Sequence, residues 1–161
     1  MDEILEILEK DARVTPQEIA KMTGKSAEAI KKTIKKYEQS GTIVKYRTVI
    51  NRDAVNEGQP IVRALIEVGI TPQRSVGFDS IAERIYSFPE VVNCYLVSGS
   101  YDLLVVVEGD NIQTVANFVA SKLASLDHVR STVTHFLLKK YKEDGHILTK
   151  KKDGGRLKIS Y

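Results

Sequence analysis

The stretch TPQEIAKMTGKSAEAIKKTIKKYEQSG, Thr15 to Gly41, decides how the N-terminal part of this chain folds. Thr15, Pro16 and Glu18 together form a capping box. The threonine oxygen takes an amide of the first turn, the glutamate reaches back to the cap, and proline at the first helical position loses no hydrogen bond. A helix therefore starts at Pro16 and runs through Ile19, Ala20 and Met22 to Gly24, whose missing Cβ suits a sharp stop. Ser26 caps the next helix two residues later, and that helix extends to Ser40. Along it Ile30, Ile34 and Tyr37 return to one face at the 3.6-residue period. Glu28, Lys32, Lys35 and Gln39 project to the other side, flanked by Lys31 and Lys36. Two capped helices joined by a glycine turn are a helix-turn-helix pattern.

Upstream, Asp2 to Lys10 gathers Ile4, Leu5, Ile7 and Leu8 on one side of a short helix and Glu3, Glu6 and Glu9 on the other. Downstream, Gly41 ends the third helix and TIVKYRTVI (Thr42 to Ile50) alternates as a strand and its return would, with Lys45-Tyr46 near the turn. Three helices and a small β-wing make residues 1–50 a winged helix-turn-helix. NRDAVNEGQP (51–60) has turn formers and no apolar period, so it is the predicted linker.

A different pattern fills 61–144. IVRALIEVG (Ile61 to Gly69) is strand-like, and Ser75 to Tyr86 puts Phe78, Ile81, Ala82 and Ile85 on a helical face. VVNCYLVSG and YDLLVVVEG are two adjacent strands with Ser98-Gly99-Ser100 between them. Asp110 is the expected cap of a helix carrying Ile112, Val115, Val119, Leu123 and Leu126, after which VRSTVTHFLL returns as a strand. The order β-α-β-β-α-β predicts an α+β ferredoxin-like domain, an antiparallel sheet with both helices on one face. Apolar residues also line the opposite sheet face, which is expected to pack on a partner subunit. Residues 145–161 form a basic tail with Lys150-Lys151-Lys152, a Gly154-Gly155 turn and RLKISY, a candidate extra strand.

The chain has 161 residues, 42% hydrophobic and 28% charged, ordinary values for a soluble globular protein and enough length for two small domains. No apolar run approaches the roughly 20 residues of a membrane span, and the start is acidic where a signal peptide is basic. No membrane partner and a cytoplasmic location are therefore expected. The single cysteine, Cys94, lies among apolar residues and reads as a reduced core side chain. Net charge is +3, unevenly spread: +2 over 1–50, −3 over 51–144 and +4 over 145–161.

The sharpest local excess lies between Lys25 and Arg47. There Lys25, Lys31, Lys32, Lys35, Lys36, Lys45 and Arg47 face two acids, Glu28 and Glu38. An isolated lysine-rich helix face is usually just solvated. Here the two capped helices and the cationic wing point to double-stranded DNA, with lysines on phosphates and Ser26, Glu28, Ala29 and Lys32 near base edges. Glu28 suits either a cytosine amine or the helix dipole.

Taken together, ILEILEKDAR, EIAKMTGKSAEAIKKTIKKYEQSGTIVKY with its S-x-x-x-I-x-x-x-I-x-x-Y-E-x-x-G frame, FPEVVNCYLVSGSYDLLVVV and VRSTVTHFLLKKYKEDG resemble the Lrp/AsnC, or feast/famine, regulators over residues 2 to 144. The resemblance implies a transcription regulator that dimerises through its C-terminal domains. It also implies further stacking into octamers and a small-molecule effector, an amino acid or related metabolite, bound where dimers meet; no other cofactor is implied. By matching motif positions, the effector would meet Ser98, Gly99, Ser100, Tyr101 and Asp102 at the strand turn and Thr132 and Thr134 on the last strand. Backbone amides beside glycine can approach a carboxylate, Asp102 can pair an ammonium group, and threonine hydroxyls can bond either. An ordinary hairpin turn explains SGSYD as well, and β-branched strand residues explain the threonines.

Two other functions compete. Some proteins resembling this family are tetrapyrrole decarboxylases, but His128, His135 and His146 have no carboxylate pair or metal-ligand spacing around them, and no phosphate loop occurs, so neither catalytic nor metal-binding residues are expected. The other is a metabolite-binding assembly module whose helix-turn-helix contacts only protein; steep salt dependence of binding would distinguish DNA from it.

Overall fold

Helix α1 (Glu3–Lys10) begins where Asp2 accepts the amide of Ile4 at 2.9 Å, and Asp2 also takes the Tyr37 hydroxyl at 2.5 Å. One carboxylate thus caps the first helix and ties it to the third. The capping box forms as the sequence requires: Thr15 receives the Glu18 amide at 3.3 Å while Glu18 accepts from the Thr15 amide at 2.7 Å. Helix α2 (Pro16–Thr23) stops at Gly24, whose φ of 68° is left-handed and suits a residue without a side chain. Helix α3 (Ala27–Gln39) follows from the Ser26 cap and closes at Ser40. Ile4, Leu8, Ile19 and Ile30 form the buried core of this unit, with Ile7, Val14, Ile34 and Ile43 packed around them.

The structure, a computed structural model, describes residues 2–51, 55, 61–71 and 77–148, in two units, Met1–Ile50 and Asn51–Tyr161. Of the predicted linker only Asn51 and Val55 fall among them, and Ser75, the triple lysine and RLKISY lie outside. The predicted β-wing is not a hairpin here. Residues 42–50 form no strand pairing, and Val44, Tyr46 and Ile50 are exposed. The alternation in TIVKYRTVI is real, but a two-stranded ribbon without a further surface to cover it is marginal in water.

In the second unit, strands β1 (Val62–Ile70), β2 (Val91–Leu96), β3 (Leu103–Gly109) and β4 (Val129–Phe136) make one antiparallel sheet in the order β2-β3-β1-β4. Helix α4 (Phe78–Tyr86) and helix α5 (Ile112–Phe118) cover the face that carries Ala64, Ile66, Val68, Leu103, Val105 and Val107, giving the ferredoxin-like arrangement. Asn111, not Asp110, caps α5: its oxygen receives the Thr114 amide at 2.8 Å, and Ile112 consequently points to solvent. A π-helical turn, Val119–Leu123, then lengthens the period by one residue, so that Phe118 and Leu123, five apart, are both buried. The same turn brings Lys122 to Glu90 at 2.6 Å, beside the edge-to-face rings of Phe88 and Phe118. Cys94 is half-buried against this core, and burial pushes its thiol up.

Beyond β4 the described residues form a hairpin of strands β5 (Lys142–Glu143) and β6 (His146–Ile147). Its two-residue loop is Asp144-Gly145, both at positive φ, the turn chemistry that favours a tight hairpin. The predicted tail therefore begins inside this hairpin. Glu143 accepts from Lys140 at 2.8 Å and from Arg63 of β1 at 2.9 Å, and Arg63 also donates to Glu108 at 2.7 Å. These ionic contacts fasten the hairpin to one end of the sheet.

Several carboxyls are held below their ordinary range. The Tyr37 hydroxyl does this for Asp2, the Arg13 amide for Asp11, the Thr15 amide for Glu18, Lys122 for Glu90, and Lys140 followed by Arg63 for Glu143. Each is a stronger acid folded than unfolded. Its contribution is therefore complete above the unfolded value of about 4 and is lost as pH falls through the folded value. Thermal melting followed by circular dichroism is expected to give a midpoint that is level from neutral pH to about 5 and drops below about 4. A midpoint that rises on acidification would contradict these assignments.

Candidate functional site

Helix α3 presents its polar side outward because Ile30 is fully buried and Ile34 and Tyr37 are half-buried beside it. Lys25, Ser26, Glu28, Ala29, Lys31, Lys32, Lys35, Lys36, Lys45 and Arg47, the residues predicted to meet DNA, are all exposed. At about 100° per residue, Lys31, Lys35, Lys32 and Lys36 sweep roughly 140° of the helix surface. Among the described residues, Lys31, Lys32, Lys35, Lys36 and Lys45 make no ion pair, so their charge is directed to solvent. The start of α2 lies alongside: Pro16, Lys31, Ile34, Lys35 and Glu38 line one shallow, open hollow.

One of the predicted contacts acquires a structural duty. Ser26 accepts the Ala29 amide at 3.2 Å, which commits its oxygen to the cap. Thr33 turns inward along the helix to the Ala29 carbonyl at 2.9 Å. Sequence reading missed Tyr46, whose hydroxyl donates to Glu38 at 2.9 Å and draws the segment after α3 back onto that helix. Nothing in the periodicity distinguishes Tyr46 from any other alternating residue. An aromatic hydroxyl eight residues after a helical glutamate was the available signal.

The predicted effector residues fall into two groups. Ser98, Gly99 and Ser100 are exposed at the β2–β3 turn, while Tyr101 and Asp102 are half-buried. Asp102 is already engaged: its side chain accepts the Ile70 amide at 2.7 Å, and its own amide donates to the Val68 carbonyl at 3.0 Å. The Ile70 amide is freed by the register shift at Gly69/Ile70. A Cβ at Gly69 would stand 2.5 Å from Ser131 Oγ, so a larger residue there would make that hydroxyl turn away. Thr132 and Thr134 sit half-buried on β4, opposite Val68 and Ile66. Since β1 lies between β3 and β4, about 10 Å separates Thr132 from Leu103 at the end of the turn. The turn and the threonines therefore flank β1, with the width of that strand between them.

On the sheet face opposite the helices, Leu65, Leu104, Val106, Tyr95 and Val133 mix with Arg63, Glu67, Glu108 and His135. His135 lies 3.1 Å from Glu67 there. Tyr95 and Val133 are each about half exposed, which leaves an apolar surface without cover in the single chain. Among the described residues there is no cluster of histidine, cysteine or acidic side chains able to hold a metal ion, and no helix is long and apolar enough to cross a membrane.

Comparison with known proteins joins these surfaces to a family. A model described as a winged helix-turn-helix DNA-binding domain matches residues 3–44, and one described as the Lrp/AsnC ligand binding domain matches 63–147. The uncharacterized HTH-type transcriptional regulator YugG of Bacillus subtilis (strain 168) is 47% identical over 98% of this chain and 95% of its own. Among solved structures, E. coli AsnC superposes with a TM-score of 0.64 at 26% identity, covering 87% of this chain and 91% of that one. A transcriptional regulator from Neisseria meningitidis, solved as a complex with L-Met, shares the fold at a TM-score of 0.64 and 24% identity, over 89% and 93% of the two chains. This chain belongs to the Lrp/AsnC family of HTH-type transcriptional regulators.

Proposed function

We propose that this protein is a cytoplasmic, sequence-specific DNA-binding transcription regulator whose output is set by an amino acid, and that it is not an enzyme. The observation that carries the reading is the lysine side of α3, exposed and, among the described residues, without ion pairs beside a helix-turn-helix core. Lysines contribute phosphate contacts of any sequence; the first turns of α3, from Ser26 through Glu28 and Ala29 to Lys32, are the positions for base edges. Residues 1–50 carry this role. Residues 61–144 carry assembly and effector binding, and the apolar sheet face around Leu65, Val106 and Tyr95 packs against the same face of a second copy. Recovery of bound DNA across the genome, with and without added amino acids, tests the whole reading. Discrete enriched sites whose occupancy changes with an amino acid are expected; uniform recovery at every locus would overturn it.

For the effector, the turn 98–102 offers amides and the Asp102 carboxylate, with Thr132 and Thr134 beyond β1. The neighbour solved with L-Met makes methionine a sensible member of the first panel. Because Asp102 holds the Ile70 amide, alanine there would disturb the fold as well as the charge. Asp102→Asn keeps an acceptor for that amide and removes the negative charge an ammonium group would pair with. Calorimetry with a panel of amino acids is expected to show binding to the unaltered protein and at least about tenfold weaker binding to D102N, the scale of one charge-assisted hydrogen bond. Equal affinity in the two proteins would remove Asp102 from the site.

A further inference from the structure

The segment after α3 carries two of the cations assigned to DNA, Lys45 and Arg47, yet it has no strand pairing to hold it. Two of its hydrogen bonds reach back to α3. The Ile43 amide donates to the Tyr37 carbonyl at 3.0 Å, and three residues later the Tyr46 hydroxyl donates to Glu38 at 2.9 Å. Lys45 and Arg47 are the immediate neighbours of that second anchor, and Glu38 stands on the exposed side of α3, together with Lys31 and Lys35. We infer that Tyr46 is a positioning residue for DNA binding: through its hydrogen bond to Glu38 it holds Lys45 and Arg47 beside the lysine side of α3, so that one phosphate-binding surface is built from two segments.

The hydroxyl is suited to this. Partial burial, then the hydrogen bond and the negative charge of Glu38, push its pKa above the ordinary value. Glu38 in turn has its carboxylate occupied by a donor at a place where a bare negative charge would oppose phosphate. A cation whose chain is free to move must be ordered on binding, and with the anchor gone one of Lys45 and Arg47 is expected to lose its phosphate contact.

This inference rests on α3 being the DNA-contacting helix, and the experiment separates the two. The probe is a mixed-sequence DNA duplex titrated at a series of salt concentrations, with the full chain and four variants. Tyr46→Phe removes only the hydroxyl and is expected to weaken binding about two- to tenfold, the span of one net hydrogen bond, and to flatten the salt slope by about 0.9, one phosphate contact. Glu38→Gln keeps an acceptor for the hydroxyl, so it is expected to retain the slope and to bind at least as tightly as the unaltered protein. Glu38→Ala removes the acceptor and should flatten the slope as Y46F does. Y46F with unchanged affinity and slope, or E38A indistinguishable from E38Q, would overturn the role of Tyr46. The fourth variant, in which Lys32 and Lys35 are both alanine, addresses the helix itself: a large loss there with an unaffected Y46F would leave α3 in place and dismiss the anchor alone.

Discussion

Replacing Lys32 and Lys35 together with alanine is expected to lower affinity for duplex DNA on the order of a hundredfold and to flatten the salt slope by about 1.8. The size follows from what each lysine does. An ammonium group on a phosphate displaces a condensed counterion, which gives a slope of about −0.9 per contact, and two contacts are removed. Both side chains are exposed, and among the described residues neither makes an ion pair, so no described partner is stranded by their loss. Alanine is also the strongest helix former, so α3 should persist. Titration of a labelled duplex at several salt concentrations, alongside a thermal melt, checks both statements. Weak binding with an unchanged melt is the expected pair of results. Unchanged affinity with an unchanged slope would mean that the lysine side of α3 is merely solvated, and the assignment of α3 to the groove would have to be abandoned.

That surface was legible in the sequence because everything that builds it is local. Thr15, Glu18, Gly24 and Ser26 act within four residues of themselves, and the 3.6-residue period alone tells which lysines share a side. The sheet was legible for a similar reason, since β-α-β-β-α-β admits few arrangements. What stayed hidden joins distant positions. Tyr37 and Asp2 are 35 residues apart, and Ile70 and Asp102 are 32 apart. No spacing rule connects them. Asp102 is the instructive case: as a residue type it suits an ammonium group, and only the register shift at Gly69/Ile70 explains why it first serves a backbone amide.

Other departures have local physical causes that the pattern understates. Asp110 and Asn111 are both good caps, and the helix selects the one whose oxygen reaches the Thr114 amide. A π-helical turn changes the period inside one helix, so a uniform spacing passes over Phe118, which is buried. Asp144-Gly145 is a strong hairpin signal, but it sits between segments of two residues each, too short to show alternation. The wing is the reverse situation. TIVKYRTVI shows the alternation clearly, and it is drawn onto α3 by the Ile43 amide on Tyr37 and by Tyr46 on Glu38, with no ladder.

Ile30→Ala is expected to have the largest effect on the fold and to abolish DNA binding by a route that the lysine variants do not take. Ile30 is the one side chain of α3 that is fully buried, and it completes a core whose other buried members are Ile4, Leu8 and Ile19. Truncating a buried isoleucine costs about 2–5 kcal/mol through lost transfer and the cavity left behind. A unit of this size sits at the weak end of the usual range of about 5–15 kcal/mol. Most of its stability is therefore at stake, whereas Ile30→Val, at about 0.5–1.5 kcal/mol, should leave it folded. The second unit has its own core around Ile66, Val105 and Leu123 and should be untouched. Urea unfolding followed by circular dichroism is expected to show an early loss of helix in I30A, with the remaining transition unmoved. DNA affinity should vanish at low salt as well as high, because cations on an unfolded segment are no longer arrayed on one surface. The lysine variant has the opposite signature, full stability with a flattened slope. An I30A protein that melts and binds like the unaltered one would mean that α3 is not fixed by this core and that the orientation of its lysines has another origin.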